Sequence, residues 1–141
     1  MGKVALIGDV GGHVDPFATM LTRLGVDVST GDVPADLTVV QVGDLVHRGP
    51  SSDAVVALVD RLLHRSPERW IQIVGNHDGQ LLDGGDHFWR EDVSERTVDT
   101  VRRWWSEGLL RVGYAFDTSG VPVRRAGGVR TVVGAGPVLA T

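Results

Sequence analysis

Apolar residues gather in three short, mostly apolar runs: "VALI" at Val4–Ile7, "LTVVQV" at Leu37–Val42 and "WIQIV" at Trp70–Val74. Such runs read as strands of a parallel sheet, buried on both faces. Between them the period lengthens. Phe17, Met20, Leu21 and Leu24 fall on one helix face after Asp15-Pro16, and Gly25 marks the stop. Val55, Leu58, Val59, Leu62 and Leu63 form the inner face of a second helix, capped by Ser51 or Ser52 and closed by Pro67. Asp27 to Asp36, with Gly31 and Pro34, reads as a loop. Strand, loop and helix thus recur three times, which predicts an α/β fold with a mostly parallel sheet and flanking helices.

Past Gly79 the pattern loosens. "LLDGGDHFWRED" reads as a loop, a lid candidate that carries His87. A helix is predicted from Ser94 to Glu107, with Val98, Val101 and Trp104 or Trp105 inward. "LLRVGYAF" and "VRTVVGA" read as strands, with Arg124 and Arg125 near the turn between them.

Composition narrows the function classes. The 141 residues suffice for one domain with a core. The net charge of −4, with no basic block, argues against nucleic acid binding by bulk electrostatics. No apolar run approaches the roughly 18 residues of a membrane span, and the start lacks the shape of a signal peptide. Cysteine is absent, which removes disulfides and thiolate chemistry. These features predict a cytoplasmic protein.

The chemistry concentrates where the strands end. Each run leads into a loop with Gly, then Asp or Asn, then a nearby His: "GDVGGH", "GDLVHRGP" and "GNHDG". In parallel α/β sheets, function collects at the carboxyl ends of the strands. Carboxylate, imidazole and amide oxygen together suit divalent Mn, Fe or Zn. Asp44, on the middle loop, is the natural ligand for two cations to share. A pair of metals clamps phosphate and activates water; an arginine grips phosphate oxygens; a histidine protonates a leaving oxygen.

The three motifs, in order from residue 8 to residue 79, resemble the calcineurin-like metallophosphoesterase superfamily. "GDLVHRGPSS" is most similar to the branch of protein phosphatases and symmetrical diadenosine tetraphosphatases. The resemblance implies the amino-terminal half of an αββα sandwich, with residues 1–141 a single domain lacking the C-terminal part. It implies hydrolysis of a phosphate ester or phosphoanhydride by a metal-bound hydroxide. It also implies metal ligation by Asp9, Asp44 (bridging) and Asn76, leaving-group protonation by His77, phosphate binding by Arg48 and support from Asp78, through His77 or the loop. The implied substrates are a phosphoprotein, a dinucleoside polyphosphate or a small phosphoester.

This chain departs from that pattern at three points. Gly11 stands where the family has a His ligand, so His13, two residues on, is the candidate substitute. His47 replaces an Asp that often precedes the motif arginine; it is expected to be a solvated loop residue or to touch substrate. The family's two later His ligands have no counterpart, since no His follows His87. The complete site takes two divalent metals, and this chain is expected to hold one or none. The rival reading is an inactive fragment or pseudoenzyme with partial metal binding. Losing the second half would also expose an apolar sheet face, which homo-oligomerisation would cover. A dinucleotide-binding domain is disfavoured, because the spacing is not G-x-G-x-x-G and Asp9 would face the pyrophosphate.

Overall fold

The computed structural model describes residues 2–83 and 93–112. Its elements run β1 (Lys3–Ile7), α1 (Val14–Arg23), β2 (Leu37–Gln41), α2 (Ser52–Arg65), β3 (Trp70–Ile73), α3 (Asn76–Asp83), α4 (Glu95–Ser106) and β4 (Leu110–Arg111). The strands form one parallel sheet in the order β1-β2-β3-β4. Sequential right-handed crossovers in that order bring successive helices to the same face. The core reflects this: Ile7, Val39 and Trp70 pack with Phe17 and Leu21 of α1, Val55, Val59 and Leu62 of α2, and Trp104 of α4. The predicted α/β class is therefore the observed one.

The other face corrects one expectation. β1 is not buried on both sides: Val4 is 67% exposed and Leu6 74%. Register puts Val4 beside Thr38 and Leu6 beside Val40, all on the face away from the helices. An apolar run reports a strand but does not say how many of its faces are covered.

Local signals explain most boundaries. α1 begins at Val14, with His13 rather than Asp15 as its N-cap. Pro16 still lies in the first turn, where the missing N–H goes unused. The stop at Gly25 is a Schellman turn. Gly25 takes φ +86, its N–H donates to Thr22 O (3.0 Å), and Val26 N–H donates to Leu21 O (3.0 Å). Met20, expected inside, is 38% exposed. Ser51 is the N-cap of α2, and Ser94 caps α4 by accepting from Thr97 N–H. Trp104 is the buried member of the tryptophan pair. α3 was not anticipated: "GNHDG" and "LLD" read as loop, yet Asn76–Asp83 is helical. Asn76, a good helix-starting residue type, and the following Asp78 were its local signals. The lid candidate with His87, "VRTVVGA", and Arg124 and Arg125 lie outside the described residues.

Candidate functional site

Parallel register sets Ile7, Gln41 and Gln72 side by side, so the three motif loops leave the sheet at one edge. The first loop is laced to the second through backbone. Val10 and Gly11 N–H both donate to Asp44 O (3.1 and 2.9 Å), and Gly12 N–H donates to Leu45 O (2.8 Å). Gly49 N–H returns a bond to Gly11 O (2.7 Å). Glycine at position 12 is required twice over. Its φ is +72, and a Cβ there would meet Gly49 O and Ser52 Oγ at 2.9 Å. Between the second and third loops the approach is closer still, since a Cβ on Gly75 would collide with the Asp44 carboxylate.

The second loop is strained. Asp44, His47 and Arg48 all take left-handed backbone, with φ of 56, 72 and 70°. Each such residue costs on the order of 1 kcal/mol or more, and such strain clusters at functional sites. Asp44 is largely buried, and its Oδ1 accepts the His77 backbone N–H at 2.9 Å. Burial pushes its carboxyl above the usual range and the Asp9 charge adds to this; the His77 N–H bond and the Arg48 charge act against it. The carboxamide of Asn76 lies against that carboxylate. With its nitrogen turned inward it donates to both Asp44 oxygens, at 2.9 and 3.2 Å. With its oxygen inward, three oxygens would crowd together, a cluster that a bound cation or a proton on Asp44 relieves.

Asp78 is deeply buried in the first turn of α3. Its carboxylate accepts three backbone N–H groups: Asp44 (2.7 Å), Leu45 (2.9 Å) and Gly75 (3.0 Å). Of the two supports expected of it, the loop is the one these bonds serve. Burial pushes its carboxyl up to about 6 despite those donors, with the Asp44 charge adding to the rise.

His47 is fully buried, which removes both expectations for it, solvated loop residue and substrate contact. Its Nδ1 lies 2.9 Å from Nδ1 of His77, itself only 6% exposed, and the rings meet edge to face. Its backbone N–H is held by Ser52 Oγ at 2.9 Å. Arg48, beside it, is exposed and close enough for its charge to act on Asp44.

The edge thus gathers Asp9, Asp44, Arg48, Asn76, His77 and Asp78. His13 is exposed at the N-terminus of α1, and with Asp9 it lines a cavity of about 300 Å³ walled by Leu6, Phe17 and Met20. Among the described residues, no three His, Asp or Glu side chains stand together as a metal cage. Among the described residues, Asp9, Asp44 and Asn76 offer two carboxylates and an amide oxygen, donors that suit a hard divalent cation. Buried Gln41 and Gln72, polar residues at the ends of apolar strands, also support this edge. Their glutamines were visible in "LTVVQ" and "WIQI" but carried no motif.

The family model for calcineurin-like phosphoesterases matches residues 2–124. The chain belongs to that family, whose members are hydrolases that use divalent metals. It is 37% identical over 97 residues to a symmetrical bis(5'-nucleosyl)-tetraphosphatase of Dechloromonas aromatica, covering 66% of this chain and 32% of that protein. It is 32% identical over 76 residues to a zinc-dependent endopolyphosphatase of Saccharomyces cerevisiae, covering 54% of this chain and 21% of that protein. The chain spans about a third or less of the length of the curated relatives it matches. Among solved structures, a protein serine/threonine phosphatase from Saccharomyces cerevisiae aligns with a TM-score of 0.54 at 20% identity. That alignment covers 82% of this chain and 36% of the phosphatase, and the likeness is one of fold.

Proposed function

We infer that these residues form the amino-terminal part of a metal-dependent hydrolase acting on a phosphoanhydride or phosphate ester, with a dinucleoside polyphosphate the favoured substrate. The observation that carries this reading is the meeting of Asp9, Asp44, Asn76 and His77 at one sheet edge. The tetraphosphatase relatives support the substrate class. Asp9, Asp44 and Asn76 would hold a divalent cation, which when bound polarises the phosphate and lowers the pKa of a water. Arg48 grips phosphate oxygens from its exposed position. His77, its Nδ1 held by His47, offers Nε2 to the leaving oxygen.

Hydrolysis of diadenosine tetraphosphate by the full protein, with and without Mn²⁺, tests the proposal. Metal-dependent turnover lost in Asp44→Asn supports it, and no turnover with any divalent metal refutes it. The second reading is a metal-binding chain without turnover, resting on the small donor set of Asp9, Asp44 and Asn76. Tight Mn²⁺ binding with no hydrolysis would select it. We also read the open face with Val4 and Leu6 as covered by a second copy of the chain. A sedimentation mass that stays monomeric at high concentration would sink that idea.

A further inference from the structure

A chain of buried amides runs beneath the three loops. The indole of Trp70 donates to Gln72 Oε1 at 3.1 Å. Indole N–H can only donate, so Gln72 must present its oxygen there and its nitrogen elsewhere. That nitrogen donates to Ile73 O (3.0 Å) and to Oε1 of Gln41. Gln41 is oriented from both ends, because its Oε1 also accepts the Gly43 N–H at 2.8 Å. Its Nε2 is left to donate to Gly8 O at 3.0 Å and Gly43 O at 2.8 Å. Both hydrogens and both lone pairs of this amide are used, and the residue is fully buried.

Gly8 precedes Asp9, and Gly43 precedes Asp44. One side chain therefore grips the backbone immediately before both carboxylates. Two carboxylates brought to one sheet edge repel. A restraint on their spacing is what such a pair needs, and an aliphatic residue, as at Ile7 and Val39 on the same face, could not supply it.

We propose that Gln41 is a positioning residue that sets the separation of the Asp9 and Asp44 carboxylates, and with it the affinity of the site for a divalent cation. This rests on reading Asp9 and Asp44 as cation ligands. Supporting partners of metal ligands are worth roughly 10–100-fold in metal affinity. The test is Mn²⁺ binding to the full protein, followed by electron paramagnetic resonance, with stability measured in parallel. Gln41→Met should weaken Mn²⁺ binding about tenfold or more. Val59→Ala, a core cavity in α2 away from the loops, should lower stability while leaving Mn²⁺ affinity within about threefold. Should Gln41→Met fail to fold, Gln41→Asn keeps the amide but is one methylene short of reaching both loops, and should weaken binding likewise. Wild-type binding that Asp44→Asn does not diminish overturns the ligand reading and this proposal with it. Binding that Asp44→Asn abolishes but neither Gln41 variant changes overturns this proposal alone. So does a loss in Val59→Ala equal to that in Gln41→Met.

Discussion

Nδ1 of His47 and Nδ1 of His77 face each other at 2.9 Å inside the protein. At that distance one nitrogen carries the proton and the other accepts it, so the two rings hold different tautomers or share one proton. The contact joins the end of the second motif to the start of α3, and it fixes the ring that the proposed chemistry uses. Nitrogen-15 spectra of the imidazoles should show one ring protonated at Nδ1 and the other at Nε2. His47→Ala should destabilise the fold by about 1–3 kcal/mol, since His77 Nδ1 loses this buried partner. His47→Asp, whose carboxylate can accept from a protonated His77 ring, should recover function in part. Urea denaturation and the hydrolysis assay read the two effects separately.

His77 also carries a leaving-group signature. If its Nε2 protonates the departing oxygen, His77→Asn should slow poor leaving groups by roughly 10²–10⁴-fold. Activated aryl phosphates, which leave without help, should be slowed far less. An equal loss on both substrates would remove His77 from the role of acid. The substitution keeps the backbone N–H that bonds Asp44 but removes the ring partner of His47, so stability should fall by an amount comparable to His47→Ala.

Asp44→Asn should separate stability from metal binding. The aspartate carboxyl is raised above its unfolded value, chiefly by burial, so its ionisation costs more in the metal-free fold than in the unfolded chain. An asparagine keeps an oxygen for the His77 N–H and removes the charge. The metal-free variant should therefore melt at or above the wild-type temperature. Its gain in Tm on adding Mn²⁺ should disappear. Thermal melts with and without the ion check both halves, and an unchanged Mn²⁺ gain would exclude Asp44 as a ligand.

Asp78 predicts a pH dependence of definite sign. Its folded pKa of about 6 lies above the 3.8 of a free carboxyl, so the folded state binds the extra proton between those values. Its contribution to stability is full below 3.8 and fades as pH rises through about 6, with a span on the order of 3 kcal/mol. Asp44 acts in the same direction. Asp27, Asp32 and Asp53 are lowered, and their contribution fades only as pH falls below about 3.8. Stability should therefore climb between about pH 7 and pH 4 by more in the wild type than in Asp78→Asn. Chemical denaturation across that range checks it, and parallel curves for the two proteins would contradict the assignment.

The amino-acid sequence by itself determined the three strand–loop–helix units, the parallel sheet and the clustering of Asp9, Asp44, Asn76 and His77 at one edge. Those follow from hydrophobic period, from caps and glycines, and from motif order, all properties of short stretches. Tertiary structure alone decided what those stretches meet. His47 looked like a loop residue because its burial comes from His77, thirty positions away. Asp78 was expected to support the site through His77 or the loop, and only packing showed its oxygens taken by backbone N–H groups of Asp44 in the second loop and Gly75 in its own. Gln41 and Gln72 looked like ordinary strand ends until register set them side by side. His13 could be named as a stand-in for the ligand missing at Gly11, and tertiary structure sets it exposed at the start of α1, lining one cavity with Asp9. Likewise, β1 read as fully buried, yet Val4 and Leu6 lie on the sheet face away from the described helices and are exposed. Periodicity is local, whereas the environment of a polar side chain depends on which distant segment packs over it.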